Sequence, residues 1–278
     1  MPILHAIILG LTQGLSEFLP ISSSGHLILV PWLFGWHDFD PLVPGIQKSF
    51  DVALHLGTLI AAVTYFRKEL VVYVRDGLAA VKDRGRRATP EGRTAWLLVV
   101  SALPAGLVGA AFETKIDDKL GKIGLIAGSL MVFGLVLAWA DRLTGARTIE
   151  GYTAKDALVV GAAQILSLNP GTSRSGITIS AARYRGFTRD SAVRISFLMS
   201  LPVTAGAVIL KLAKLAKNGV PHGMAGPMVI GIVTAGISGW LAVWGTIRLV
   251  RTRSFTPFVI YRLVAGALVF ILLASHFR

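Results

Sequence analysis

Long uncharged apolar stretches recur along this chain, and no other feature restricts its fold so tightly. Residues 52–66, 94–112, 123–140, 195–210 and 220–247 contain no Asp, Glu, Lys or Arg, and 254–277 is interrupted by Arg262 alone. About 20 mostly apolar helical residues cross the roughly 30 Å of bilayer hydrocarbon, so the longer stretches qualify outright and the shorter ones need snorkelling ends. Six spans are expected. The chain is 53% hydrophobic and 15% charged, too apolar for an ordinary soluble domain. The expected class is an all-α integral membrane protein forming a single membrane domain over 1–278.

The first residues, MPILHAIILGLTQGLSEFL, lack the basic region that opens a secretory signal and read as part of the mature fold. There is no cysteine, which excludes disulfides, thiolate metal sites and cysteine nucleophiles. The net charge of +13 would suggest nucleic acid in a soluble protein. In a membrane protein basic loops set orientation and lie against anionic lipid, so no nucleic-acid partner is expected. Segment 67–93 carries eight basic against four acidic residues and is placed in the cytoplasm. Residues 141–156 and the Arg248, Arg251, Arg253 cluster follow it inside, and 113–122 falls outside. Lys214 and Lys217 also fall outside, a mild departure from the positive-inside tendency.

Two stretches are not simple spans. In 1–37 the single Asp, Glu, Lys or Arg is Glu17, followed at once by FLPISSSGH; in 157–182 it is Arg174, inside NPGTSRSG. Pro, Gly and hydroxyls break each run in the middle. Unpaired backbone at membrane depth is tolerated only inside protein or along a wet cavity, so each stretch is read as a re-entrant helical hairpin. The breaks also resemble one another: Gly10, Gln13, Leu15 and Ser16 match Gly161, Gln164, Leu166 and Ser167, and Pro20 before SSSG parallels Pro170 before TSRSG. With three spans after each, halves 1–145 and 150–278 form an inverted repeat, whose interrupted segments point to a central site.

A lone ionisable group inside an apolar run is costly to bury and marks function by default, with a partner to be found. The bland alternative for Glu17 and Arg174 is a structural salt bridge between the hairpins. Neither residue stands alone, however. Around Arg174, Gly171 and Gly176 allow tight turns that expose N–H groups, Thr172, Ser173, Ser175 and Thr178 offer hydroxyls, and a following helix aims its positive end at a bound group. The guanidinium fork matches two phosphate oxygens at once. Beside Glu17, Ser23 offers a nucleophile, His26 a proton carrier near neutral pH, and Glu17 itself a ligand for a hard cation or an orienting group. His5, His55, His222 and His276 read as packing or interfacial residues.

QGLSEFLPISSSGH at 13–26 and PGTSRSG at 170–176 resemble the two signature motifs of the undecaprenyl-diphosphatase family, also known for bacitracin resistance. FDVALHLGTLIAAV from Phe50 and SFLMSLPVTAGA from Ser196 resemble its span segments, so the likeness covers most of the chain. The resemblance implies an enzyme of the bacterial inner membrane that converts undecaprenyl diphosphate to the monophosphate, the lipid carrier for cell-wall precursors. It also implies two inverted re-entrant hairpins, help from Mg²⁺ or Ca²⁺, and a pocket open to the periplasmic side. It assigns the metal-binding motif to Gln13 and Glu17, the serine to Ser23, the histidine to His26, and phosphate binding to Arg174 and Ser173. Thr172, Ser175, Gly171, Gly176 and Ser24 complete the phosphate-binding set. Gln13 departs from a two-carboxylate metal site, because an amide brings no charge, and leaves more to Glu17. The expected chemistry is attack by Ser23 with His26 as acid and base, or direct attack by His26 or a metal-bound water. The partners are the polyprenyl diphosphate, membrane lipid and a second copy of the chain in a homodimer.

Two other classes compete. A transporter or flippase of polyprenyl phosphate lipids shares the inverted repeat with broken helices. A structural scaffold leaves Glu17, His26 and Arg174 unexplained.

Overall fold

An apolar chain with interrupted runs divides into helices of unequal length. The structure, a computed structural model, describes residues 1–39, 46–83, 89–220 and 223–277. In order these form α1 (Ile3–Phe18), α2 (Ser23–Phe34), α3 (Ile46–Tyr65), α4 (Arg67–Lys82), α5 (Pro90–Leu120) and α6 (Ile123–Arg142). The second half holds α7 (Ala154–Ile165), α8 (Arg174–Tyr184), α9 (Arg189–Asn218), α10 (Ala225–Val250) and α11 (Thr256–Ala274). Their starts follow local chemistry. Thr153 and Asp156 form a reciprocal capping box on α7, Thr188 caps α9, and Thr89 with Pro90 opens α5.

Among the described residues, five helices are long and apolar enough to cross a bilayer: 90–112 of α5, α6, 189–210 of α9, α10 and α11. The sixth expected span is α3, which turns by 84° into α4 after Tyr65. The count is therefore five, or six with that bent pair taken as one. Segment 67–93, expected only as a charged cytoplasmic stretch, is largely helical: α4 carries Arg67, Lys68 and Arg75 while exposing Val71, Val74 and Leu78. Basic and apolar side chains exposed together on one short helix suit the plane of the interface, where long basic side chains snorkel from an apolar surface. Arg84, Arg86, Arg87 and His222 lie outside the described residues.

Small residues decide which helices touch. A Cβ on Gly14 of α1 would stand 2.6 Å from the Ala235 carbonyl oxygen of α10, and one on Gly57 of α3 2.9 Å from the Gly236 nitrogen. On α7, a Cβ at Gly161 would meet the Ser101 carbonyl oxygen of α5 at 2.7 Å. Such close approach holds helices together where lipid supplies no hydrophobic drive between them. α6 and α11 pack in the same way through Gly134 and Gly266. Inside, Phe18, Phe66, Phe187, Phe197 and Phe255 are buried in one cluster, while Leu107, Leu135, Leu210, Ile237, Val264 and Ile271 are each more than half exposed. Aliphatic side chains turned outward over whole spans mark a surface meant for lipid.

Candidate active site

Both sequence breaks are real interruptions of helix, and both are built with the same device. After α1, Leu19 is extended and Ser22 takes φ 80°, ψ 93° before α2 begins. After α7, Gly171 has φ 93° and Ser173 takes φ 73°, ψ 112° before α8 begins. A left-handed serine costs about 1–3 kcal/mol and persists only where its surroundings over-determine it. Here they do. The Ser22 hydroxyl accepts from the Gly171 N–H at 3.0 Å, Ser175 donates to the Leu19 carbonyl at 3.2 Å, and the Ser173 hydroxyl accepts from the Gly176 N–H at 3.1 Å. The two breaks thus brace each other, although about 150 residues separate them in the chain.

The remaining carbonyls converge on Arg262 of α11, which is fully buried. Its guanidinium donates to Pro20 of the first break (3.1 Å), to Gly171 and Thr172 of the second (2.9 Å each), and to Leu130 and Ser129 of α6 (3.0 and 3.4 Å). One cation therefore satisfies the carbonyls that broken helices leave open at membrane depth. Its signal was visible in the sequence, as the single charge in 254–277, and has the same form as that of Glu17 and Arg174.

Glu17 sits at the centre. Its Oε1 receives Arg174 Nη2 at 3.0 Å; its Oε2 receives the Ser23 hydroxyl at 2.6 Å and Gln13 Nε2 at 3.1 Å. The ion pair that the bland alternative placed between Glu17 and Arg174 is therefore present, and it is not closed on itself. Arg174 Nη1 is buried without a partner among the described residues, a donor left over for an incoming oxyanion. The first turns of α2 and α8 begin here too, with N–H groups that no preceding carbonyl of their own helix can satisfy.

His26 is placed differently from its expected pairing. Nδ1 faces the Ser22 carbonyl at 2.7 Å, and Nε2 the Tyr261 hydroxyl at 2.7 Å. Because a carbonyl only accepts, Nδ1 carries a proton, and Nε2 pairs with the Tyr261 hydroxyl. Ser23 turns to Glu17 instead. Tyr261, like Arg262, was not singled out in the sequence. His55, expected as a packing or interfacial residue, stands with Nε2 3.7 Å from Glu17 Oε2. His5 fits that expectation, bonded to Asp38 and stacked on Trp36.

Several expected phosphate ligands are already engaged. Thr172 accepts from Asn169, Ser175 donates to Leu19, and the Gly171 and Gly176 N–H groups bond Ser22 and Ser173. Ser24 is exposed on the first turn of α2. For a divalent cation the donor set is poor: no three His, Asp or Glu side chains gather for one among the described residues, and Glu17 is paired with an arginine. Gln13 Oε1 is buried and unpartnered, so Gln13 and Glu17 supply a few oxygens where a hard ion takes six to eight. The residues present do not hold Mg²⁺ or Ca²⁺ by themselves, and no step below is routed through one.

Several apolar spans around a buried centre of carboxylate, guanidinium, imidazole and hydroxyl define a polytopic helical membrane protein with a polar, charged interior site. Residues 6–268 match the family described as bacitracin resistance protein BacA, and the chain belongs to that family. It is 46% identical over 272 residues to an undecaprenyl-diphosphatase of Geobacter sulfurreducens, covering 97% of each chain. It is 47% identical over 271 residues to one of Pelobacter propionicus (97% and 96% covered) and 42% identical over 270 to one of Moorella thermoacetica (97% of each).

Proposed function

We propose that this chain is an undecaprenyl-diphosphate phosphatase, hydrolysing the lipid diphosphate to the monophosphate in the membrane. The observation that carries the chemistry is the Ser23–Glu17–Arg174 chain of contacts with one guanidinium nitrogen left open. Arg174 Nη1 and the open N–H groups of α8 would bind the terminal phosphate. As phosphate oxygens compete for Arg174, its hold on Glu17 loosens, and the carboxylate can take the Ser23 proton. Ser23 Oγ then forms a bond to the terminal phosphorus while the bond to the bridging oxygen breaks, its electron pair leaving with the polyprenyl monophosphate. Water attacks the phosphoserine, inorganic phosphate departs, and Glu17 returns the proton to Ser23. His26, fixed three residues after Ser23 on the same face of α2, is positioned to manage the proton of that water.

The polyprenyl tail fits a groove of about 630 Å³ between α3, α5 and α9, lined by Leu107, Gly106, Gly206, Leu210 and Leu168. Its polar end is Asp51, one turn before His55, which reaches Glu17.

The finer architecture we propose is two re-entrant hairpins, α1–α2 and α7–α8, in an inverted repeat of halves 1–145 and 150–278. Support comes from interchange: Gly10 of α1 meets Gly231 of α10, while its counterpart Gly161 of α7 meets Ser101 of α5. We place the protein in the inner membrane with its pocket towards the periplasm. From the outer end of α6 at Lys122 to Ser129 beside the breaks is seven residues, roughly 10 Å; from Ser129 to the basic end at Arg142 is nearly twice that.

The deciding experiment is phosphate release from purified protein in detergent with polyprenyl diphosphate, where no second leaflet exists. Stoichiometric release supports the phosphatase. Tight lipid binding with no release would leave the flippase reading.

A further inference from the structure

Far from the breaks, α6, α8 and α10 end and α9 begins around a second pocket, of about 620 Å³. It is lined by Arg142, Arg183, Arg189 and Arg251 against Asp141 and Asp190. The two acids are committed: Asp141 pairs with Arg189 at 2.5 Å, and Asp190 holds Arg251 at 3.0 Å and Arg194 at 2.8 Å. Two guanidiniums remain in excess. Arg142 is exposed and has no acidic partner among the described residues. Arg183 is only 4% exposed; it caps the Leu143 and Phe187 carbonyls, and its Nε has no partner among the described residues. Thr188 and Arg189 add the N-terminus of α9, where Thr188 takes the Ser191 N–H and the earlier N–H groups and helix dipole still favour an anion.

The depth of this pocket is set by aromatic rings. Trp139, one turn before Arg142, and Tyr184, next to Arg183, are each more than half exposed with rings 6.0 Å apart. On α10, Arg248 lies 5.5 Å over the ring of Trp244. Exposed Trp and Tyr in spanning helices gather at headgroup level. Below them α6 turns Leu135 and Val132 outward, a surface for acyl chains. Along α6 the pocket is twelve residues, roughly 18 Å, from Leu130 beside the breaks, so it is separate from the substrate site.

We propose that this pocket binds the phosphate of an anionic phospholipid headgroup, of the phosphatidylglycerol type, from the leaflet on the basic face. The fork of Arg142 reaches two phosphate oxygens at once, the α9 N-terminus faces them, and the acyl chains descend past Trp139. A lipid held there ties the ends of four helices that otherwise meet through charged side chains.

The test uses the full chain purified in a non-ionic detergent, with phosphatidylglycerol, phosphatidylcholine or inorganic phosphate added at equal phosphorus. Retention by native mass spectrometry and the unfolding temperature are read for the parent and for Arg142→Gln. Phosphatidylglycerol should be retained and should raise the unfolding temperature, and the other two should not. Arg142→Gln should bind it about fivefold more weakly, the weight of one cation near a lipid surface, with hydrolysis of polyprenyl diphosphate at the parental rate. Because Arg142 is exposed and unpartnered, the variant keeps its fold. Equal affinity in parent and variant, or equal effects from phosphatidylcholine or inorganic phosphate, would overturn the proposal.

Discussion

Gln13 and Gln164, like Ser22 and Ser173, lie the same 151 residues apart, so the two helix breaks can be compared position by position. What holds the chain in shape is duplicated. Each glutamine is buried with an unpartnered Oε1, and each break turns through a left-handed serine into a new helix. What does chemistry is not duplicated. Ser23 corresponds to Arg174, Glu17 to Leu168, and His26 to Ile177. On the proposed mechanism the first break supplies nucleophile, carboxylate and imidazole; the second supplies the phosphate-binding cation and, in Leu168, one wall of the apolar groove. A chain that uses one turning device twice is free to vary at every position the device does not use.

The comparison breaks first at Ser23. Ser23→Ala should lose at least about 10³-fold in kcat while binding the lipid diphosphate, because covalent capture of phosphorus has no second hydroxyl at the matching place in the other half. Single-turnover phosphate release by folded protein checks this. A rate within tenfold of the parent would remove the division of labour. The next effect belongs to the residue serving both breaks at once. Arg262→Met leaves carbonyls of 20, 171 and 172 open inside the protein and should lower stability by about 3 kcal/mol, since each buried group without a partner costs about 1–3 kcal/mol and relaxation recovers part of the total. Ser22→Ala, which removes one hydrogen bond between the breaks, and Ser173→Ala, which removes one within the second, should each lose about 1 kcal/mol. Equal denaturation midpoints for the three variants would show that the breaks stand independently.

Much of this was legible in the sequence, for a physical reason. A charge inside an apolar run is expensive wherever the chain folds, so Glu17 and Arg174 were identifiable without coordinates and do meet at 3.0 Å. The same logic applied to Arg262, but its partners are backbone carbonyls, which leave no trace in composition. Tyr261 and His55 carry no such signal: each is an ordinary residue on a spanning helix until the fold brings it to His26 or Glu17. Nor does spacing reveal which hydroxyls are free. Thr172, Ser173 and Ser175 all sit in the motif, yet their oxygens are engaged with Asn169, Gly176 and Leu19. The bend between α3 and α4 was hidden because hydropathy reports how apolar a segment is and not where it turns.

Arg174 sharpens the contrast at smaller size. Arg174→Lys keeps a positive charge beside Glu17 but loses the second nitrogen now left open, so turnover should fall about 10²-fold, near the lower end for one removed oxyanion donor. Most of that loss should be in kcat, since charge attraction for the diphosphate survives. A purely structural ion pair would instead show parental turnover with a lowered unfolding temperature.

The smallest effect concerns the apolar side of the second half. A Cβ on Gly206 of α9 would meet no atom within 4 Å, and Gly206 lines the same groove as Leu168. Gly206→Leu should therefore fold normally and fill space the lipid tail would use. Excluding about one methylene's worth of contact is worth roughly 0.8–1 kcal/mol, or about fivefold in KM. The rise should occur for a long polyprenyl diphosphate and vanish for a short one whose chain does not reach α9, with kcat unchanged for both because the head-group contacts are untouched. If both substrates shift alike, the tail lies elsewhere on the lipid-facing surface, and the second half keeps only its cation as a share of the work.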